Sequence, residues 1–182
     1  MIRRLACAAL VVLLTAPAAG ARPQQRAGTE VGPPHSVTAY DPSHGCSTDG
    51  PFVGLGWCDY YDGARTGHGG EPVELAATVC RLPGQDAHTL QADTGQQAEF
   101  TVGDRRTPAW TWAKGHRFSQ YGTTFNVEPG SCLRWHVTWN VVDDAGRPLA
   151  PGVYDLVARS LVYPPGSIQV QAWLDNMYFV VT

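Results

Sequence analysis

The sequence predicts an all-β chain folded as an antiparallel sandwich, and three observations carry that prediction. From Leu133 to Val141 every second residue is apolar (Leu133, Trp135, Val137, Trp139, Val141), while Arg134, His136, Thr138 and Asn140 alternate with them; this two-residue period marks a half-buried strand. Short apolar runs recur between turn pairs such as Pro83-Gly84, Pro129-Gly130 and Pro151-Gly152, as sheet hairpins require. No window shows the 3.6-residue period of a helix.

The N-terminus reads as an export leader over residues 1–21. Arg3 and Arg4 give a charged start, Leu5 to Thr15 an apolar middle, and Ala19-Gly20-Ala21 a small-residue cleavage site, which places cleavage near Ala21. The apolar run is too short for a membrane span, and no later stretch offers one. The chain is therefore expected to be secreted. About 160 of the 182 residues remain, enough for one domain with its own core. Loss of Arg3 and Arg4 leaves 11 of the 13 basic residues against 16 acidic ones. A mature charge near −5 disfavours nucleic acid and anionic membrane surfaces as partners.

Without Cys7 the exported chain holds Cys46, Cys58, Cys80 and Cys132, an even set expected to form two disulfides. Their spacing does not suit zinc. Three connectivities are open. Cys80 lies on the polar side of Val73-Leu75-Ala77-Val79 and Cys132 on the polar side of Leu133-Trp135-Val137, so the preferred pairing joins Cys80 to Cys132 and Cys46 to Cys58. Loop closure then contributes about 4 kcal/mol for the long loop and about 3 for the short one.

In chain order, residues 22–34 are rich in Pro, Gly, Gln and Arg and read as a flexible lead-in. Residues 35–70 are expected to be a loop-rich, disulfide-stapled extension with one or two edge strands, and residues 71–182 the sandwich itself. Expected strands cover Val73–Cys80, Thr89–Ala92, Ala98–Val102, Trp110–Ala113, Thr123–Val127, Cys132–Val142, Val153–Tyr163, Ile168–Trp173 and Asn176–Val181, the last buried on both faces. Trp110, Trp112, Trp135 and Trp139 are four of the six tryptophans. Each buries about 150–250 Å², so they read as core before they read as site.

The ordered motifs of the middle of the chain resemble the BsuPI-type proteinase inhibitor domain. They are Thr94-Gly95-Gln96, Glu99-Phe100, Ala109-Trp110-Thr111-Trp112, Phe118-Ser119-Gln120, Pro129-Gly130, Trp139 and Pro151-Gly152-Val153-Tyr154. The likeness covers roughly Val73 to Leu161, about half the chain. It implies an immunoglobulin-like sandwich in which the strands ending at Cys80 and starting at Cys132 are neighbours. It also implies that the Tyr154 hydroxyl bonds nearby backbone as a tyrosine corner. Phe100, Trp110, Trp112, Phe118, Gln120, Trp139 and Tyr154 are then fold determinants.

Proteinase inhibition needs a stiff exposed loop that resists release from a protease cleft. Candidates are Asp104-Arg105-Arg106-Thr107, whose dibasic pair suits a trypsin-like pocket, and Lys114-Gly115-His116-Arg117; from sequence both read more readily as plain solvated hairpin tips. The stapled 46–58 loop is a third, although Pro51-Phe52-Val53-Gly54-Leu55 is apolar enough to tuck onto the sheets. The partner is thus an extracellular protease or, alternatively, a polysaccharide stacked on Trp57, Tyr60, Tyr61 and Trp173. Calcium at Asp41, Asp49, Asp59 and Asp62 fits no loop motif. His44, His68 and His136 read as surface groups rather than metal ligands. Neither Ser131 nor Ser167 has a marked base, and no Gly-Xaa-Ser-Xaa-Gly, His-Glu-Xaa-Xaa-His or phosphate loop occurs. The expectation is a non-enzymatic chain without cofactor.

Overall fold

The computed structural model describes residues 35–46, 52, 54–167 and 174–182. Eleven strands form it: β1 His35–Ala39, β2 Trp57–Tyr61, β3 Thr66–Gly67, β4 Val73–Arg81, β5 His88–Ala92, β6 Ala98–Gly103, β7 Pro108–Thr111, β8 Thr123–Val127, β9 Ser131–Trp139, β10 Gly152–Ser160 and β11 Leu174–Val181. Among the described residues there is no helix. One sheet runs β1-β9-β4-β2, the facing sheet β3-β11-β10-β6-β7, and β5 and β8 form a separate ribbon. Pairing is antiparallel throughout except between β3 and β11. This is an immunoglobulin-like antiparallel β-sandwich.

The core forms where the alternating faces meet. Leu75, Ala77 and Val79 of β4 and Leu133, Trp135, Val137 and Trp139 of β9 point at Phe100, Val102, Leu156, Ala158 and Phe179 of the other sheet, all buried. Trp139 stacks on Trp110 with ring centroids 5.1 Å apart and meets the Phe179 ring edge-on, also at 5.1 Å. A buried polar contact crosses the middle: Trp135 Nε1 donates to Gln97 Oε1 at 3.1 Å. The Tyr154 hydroxyl donates to the Ala150 carbonyl at 2.8 Å, the corner bond expected at that position.

β4 and β9 are neighbours in register, with Cys80 opposite Cys132. Both disulfides take the preferred pairing, Cys46–Cys58 and Cys80–Cys132. The outer side of β4 is buried as well, because Cys58, Tyr60, Cys80 and Cys132 form a second small core there beneath Tyr40 and Leu82. Arg134 spans its rim, its Nε 2.7 Å from Asp62 and its Nη2 2.6 Å from Glu74.

Several expectations need correction. The 35–70 stretch is not an extension beside the sandwich. It supplies β1 and β2, both edges of one sheet, and β3, an edge of the other. The one or two edge strands expected there are present, but an edge strand, partnered on one side only and with little apolar alternation, does not announce which sheet it completes. β9 ends at Trp139, not Val142. Val141 sits at φ 51°, a left-handed conformation costly for a β-branched residue. It is held there because its carbonyl accepts from Gly70 N and Leu149 N while Trp139 Nε1 donates to Val142 O at 2.9 Å. β10 stops at Ser160, and Tyr163 instead forms an isolated bridge to Gln91. β11 is not buried on both faces, since Tyr178 is 56% exposed between buried Met177 and Phe179. The leader, the lead-in and the expected 168–173 strand lie outside the described residues.

Candidate functional site

The β7 edge of the five-stranded sheet carries both candidate basic loops. β6 turns into β7 through residues 104–107, all exposed. Gly103 starts this turn at φ +127°, where an added Cβ would come within 2.3 Å of the Ala109 nitrogen; only glycine fits. Asp104 then closes the tip on itself. Its Oδ1 accepts from Arg106 N at 2.8 Å and Thr107 N at 3.3 Å, an Asx turn that replaces backbone freedom with two side-chain bonds. Arg105 leans back towards Asp155 at 3.7 Å. Arg106 forms no ion pair among the described residues.

The second loop, Lys114 to Arg117, comes after the four residues of β7, about 13 Å of extended strand, and after Trp112 and Ala113. This loop is exposed too, but two of its side chains are held by neighbours. Lys114 Nζ lies 2.8 Å from Asp144 Oδ2, and the His116 ring stacks on Trp112 at 4.8 Å with Phe118 beside it. An open groove of about 680 Å³ runs between this loop and the 143–146 turn.

Sequence reasoning missed Asp144, the residue that organises this edge. An outermost strand leaves every second backbone group unpaired. On β7 those include the Ala109 carbonyl and the Thr111 N–H. Asp144 N donates to Ala109 O at 2.9 Å, and Asp144 Oδ1 accepts from Thr111 N at 3.0 Å. The turn holding Asp144 is braced in turn by Asp143, whose carboxylate accepts from Ala145 N, Arg147 N and Arg147 Nε. The bond from Arg147 keeps the Asp143 carboxyl below its ordinary value. An acidic pair in a Gly-containing turn was the available signal, but it read only as a loop.

The motif residues act as ties. Glu99 Oε1 accepts from Phe100 N and Ala113 N, and its Oε2 from Gln96 Nε2 at 2.6 Å. Gly95 N donates to Ser119 O at 2.8 Å, joining the Thr-Gly-Gln turn to the Phe-Xaa-Gln segment. Burial raises the Glu99 carboxyl above its ordinary value of 4.5 despite these donors. The folded chain therefore holds that proton more tightly than the unfolded chain. Stability is greatest below the ordinary value and is lost as pH rises through the raised one. Wild type should thus lose ground to Glu99→Gln as pH rises from the ordinary glutamate range towards neutrality, measured as urea midpoints at each pH. A difference that stays flat across that range would refute the assignment.

Other predicted sites are taken up by structure. Trp57, Tyr60 and Tyr61 are all buried, so none offers an open ring face to a sugar; Arg81 covers Trp57 at 5.0 Å. Trp173 lies outside the described residues. Phe52 is buried against the core as well. Of the calcium candidates, Asp62 is engaged by Arg134, Asp59 is buried, Asp41 caps Ser43 N, and Asp49 lies outside the described residues. Among the described residues no group of three His, Cys, Asp or Glu side chains could hold a metal ion. His44 stacks on Tyr60, and His136 faces Glu74 at 3.5 Å. No helix of the described residues is long and apolar enough to cross a membrane.

Against known families, the model of BsuPI, described as an intracellular proteinase inhibitor, matches residues 65–164. The chain belongs to the BsuPI family. The BsuPI match takes in β4 through β10 and every motif tie described above. No curated protein matches the chain. Among solved structures it is similar to the CARDB domain of a Pyrococcus furiosus protein in complex with di-metal ions, at 14% identity and TM-score 0.39, covering 80% of this chain and 100% of that one. It is also similar to Spo0M, a sporulation control protein from Bacillus subtilis, at 13% identity and TM-score 0.36, covering 68% of this chain and 49% of that one.

Proposed function

We propose that this BsuPI-family chain is a secreted, non-enzymatic proteinase inhibitor that presents Asp104-Arg105-Arg106-Thr107 to a trypsin-like protease. One observation carries the reading. The dibasic tip is exposed and closed by Asp104 onto two backbone N–H groups, whereas Lys114 and His116 are tied down on Asp144 and Trp112. An inhibitor loop must lose little entropy on docking, and a self-bonded turn has already lost it. Arg106 is the side chain left to enter an acidic specificity pocket, while Arg105 is drawn back by Asp155. The family's description is intracellular; export here rests on the leader-like residues 1–21 and on two disulfides, which persist in oxidising compartments.

The test is inhibition of trypsin-like and subtilisin-like proteases by wild type and by the Arg105→Ala/Arg106→Ala variant. A buried arginine hot spot is worth at least about 2 kcal/mol, so the variant should raise the inhibition constant against the trypsin-like enzyme roughly 30-fold or more. Its unfolding midpoint should not move. Equal inhibition by both proteins, or none by either, rejects the reading. Retention on insoluble polysaccharide together with absent inhibition would favour a carbohydrate-binding module instead.

A further inference from the structure

Three of the four disulfide-bonded cysteines stand in one lateral row. Cys58 of β2 is registered opposite Cys80 of β4, and Cys80 opposite Cys132 of β9. Registered partners point to the same face of a sheet, and all three are fully buried in the small outer core. Cys46, by contrast, is exposed and lies near the Tyr40 hydroxyl. Cys80 therefore has two cysteine neighbours, and its present partner is only one of them.

The ladder decides whether the other neighbour is within bonding reach. Asp62 N donates to Ala76 O, and Leu82 N to Gly56 O. Those pairs lie two and one steps of period two away from Cys58/Cys80, so Cys58/Cys80 is a pair of the hydrogen-bonded type. Such pairs have Cα atoms about 5.5 Å apart, inside the range of about 4.4–6.8 Å that a disulfide spans. Cys80/Cys132 is the closer, non-hydrogen-bonded type, with Cα atoms 3.9 Å apart.

We propose that Cys46 is a thiol-exchange site and that Cys58 relays the exchange to the buried Cys80–Cys132 bond. An external thiolate of the glutathione class attacks the Sγ of Cys46, an exposed residue. The Cys46–Cys58 bond breaks, Cys46 becomes a mixed disulfide, and Cys58 leaves as a thiolate. Cys58 then attacks Cys80 Sγ. The Cys58–Cys80 bond forms, the Cys80–Cys132 bond breaks, and Cys132 departs as a thiolate that takes a proton from solvent. Two protein disulfides and one thiol yield one mixed disulfide, one relocated disulfide and one protein thiol, so electrons balance without a separate oxidant. Direct attack by the external thiol on Cys80 or Cys132 is blocked by their burial. The result moves the staple one strand outward, pinning edge strand β2 while releasing Cys46 and unlinking β4 from β9. The relay does not depend on the inhibitory reading of the β7 edge.

The test treats the fully oxidised chain with glutathione at pH 8, quenches with acid, then unfolds, alkylates and maps peptides by mass spectrometry. Glutathione on Cys46, alkyl label on Cys132 and a linked Cys58–Cys80 peptide should appear together. In Cys58→Ser, labelling of Cys132 should fall at least roughly tenfold, since the relay sulfur is gone. Cys46→Ser changes only an exposed position and leaves Cys58 free from the start. It should form Cys58–Cys80 with no added thiol. A folded Cys46→Ser chain that keeps Cys80–Cys132 intact beside a free Cys58 overturns the proposal. Unchanged Cys132 labelling in Cys58→Ser overturns it equally.

Discussion

Replacing Trp139 with alanine is expected to lower the unfolding free energy by about 3–5 kcal/mol. The indole is buried between the sheets, stacked on Trp110 and met edge-on by Phe179, so its removal opens a void lined by rings that cannot collapse onto one another. Its Nε1 is also the donor to Val142 O, and that bond helps hold Val141 in its left-handed conformation. A Trp139→Phe variant separates the two effects. It keeps most of the packing and loses the donor, so it should cost about 1–2 kcal/mol. The 143–147 turn follows directly, and with it Asp144, which seals β7. Exchange protection of the Thr111 amide should therefore drop in both variants, more in alanine than in phenylalanine. Urea denaturation and amide exchange measure these outcomes. An alanine variant within about 1.5 kcal/mol of wild type would mean that the two sheets do not meet through this ring.

What the sequence reveals follows from which physical signal each element carries. β9 is legible because it is central and crosses the core, so burial imposes a period of two from Leu133 to Trp139. The Cys80–Cys132 staple is legible from the same alternation, since both sulfurs fall on the side opposite the tryptophans. Tyr154 is legible through its Pro-Gly context and family likeness. β1 is not: Val37 stays exposed even though it pairs with Leu133, so no apolar face marks it. Val141 continues the alternation of β9 yet bends out of the strand, because the bond from Trp139 to the Val142 carbonyl overrides local preference. Asp144 looks like any turn residue until topology brings the turn alongside β7. Arg134, read only as an outward residue, proves to be the clamp on Asp62 and Glu74, and no spacing in the chain announces partners 72 and 60 residues away.

Removing the central staple by Cys80→Ala/Cys132→Ala is expected to cost about 4 kcal/mol, against about 3 kcal/mol for Cys46→Ala/Cys58→Ala. The order follows from the chain lengths closed, 52 residues against 12. In the folded state β4 and β9 remain zipped by eight registered pairs with or without the bond. The loss therefore falls chiefly on the unfolded chain, which regains the freedom to separate these strands. Kinetics test that placement. If the bond works by keeping distant strands close before they pair, its removal slows folding substantially and speeds unfolding only slightly. Alanine at two fully buried positions also leaves space in the outer core beside Tyr60, a folded-state effect that would raise the unfolding rate instead. A larger penalty for the short loop, or a penalty expressed almost wholly in unfolding, would assign the stabilisation to packing around the sulfurs rather than to the 52-residue closure.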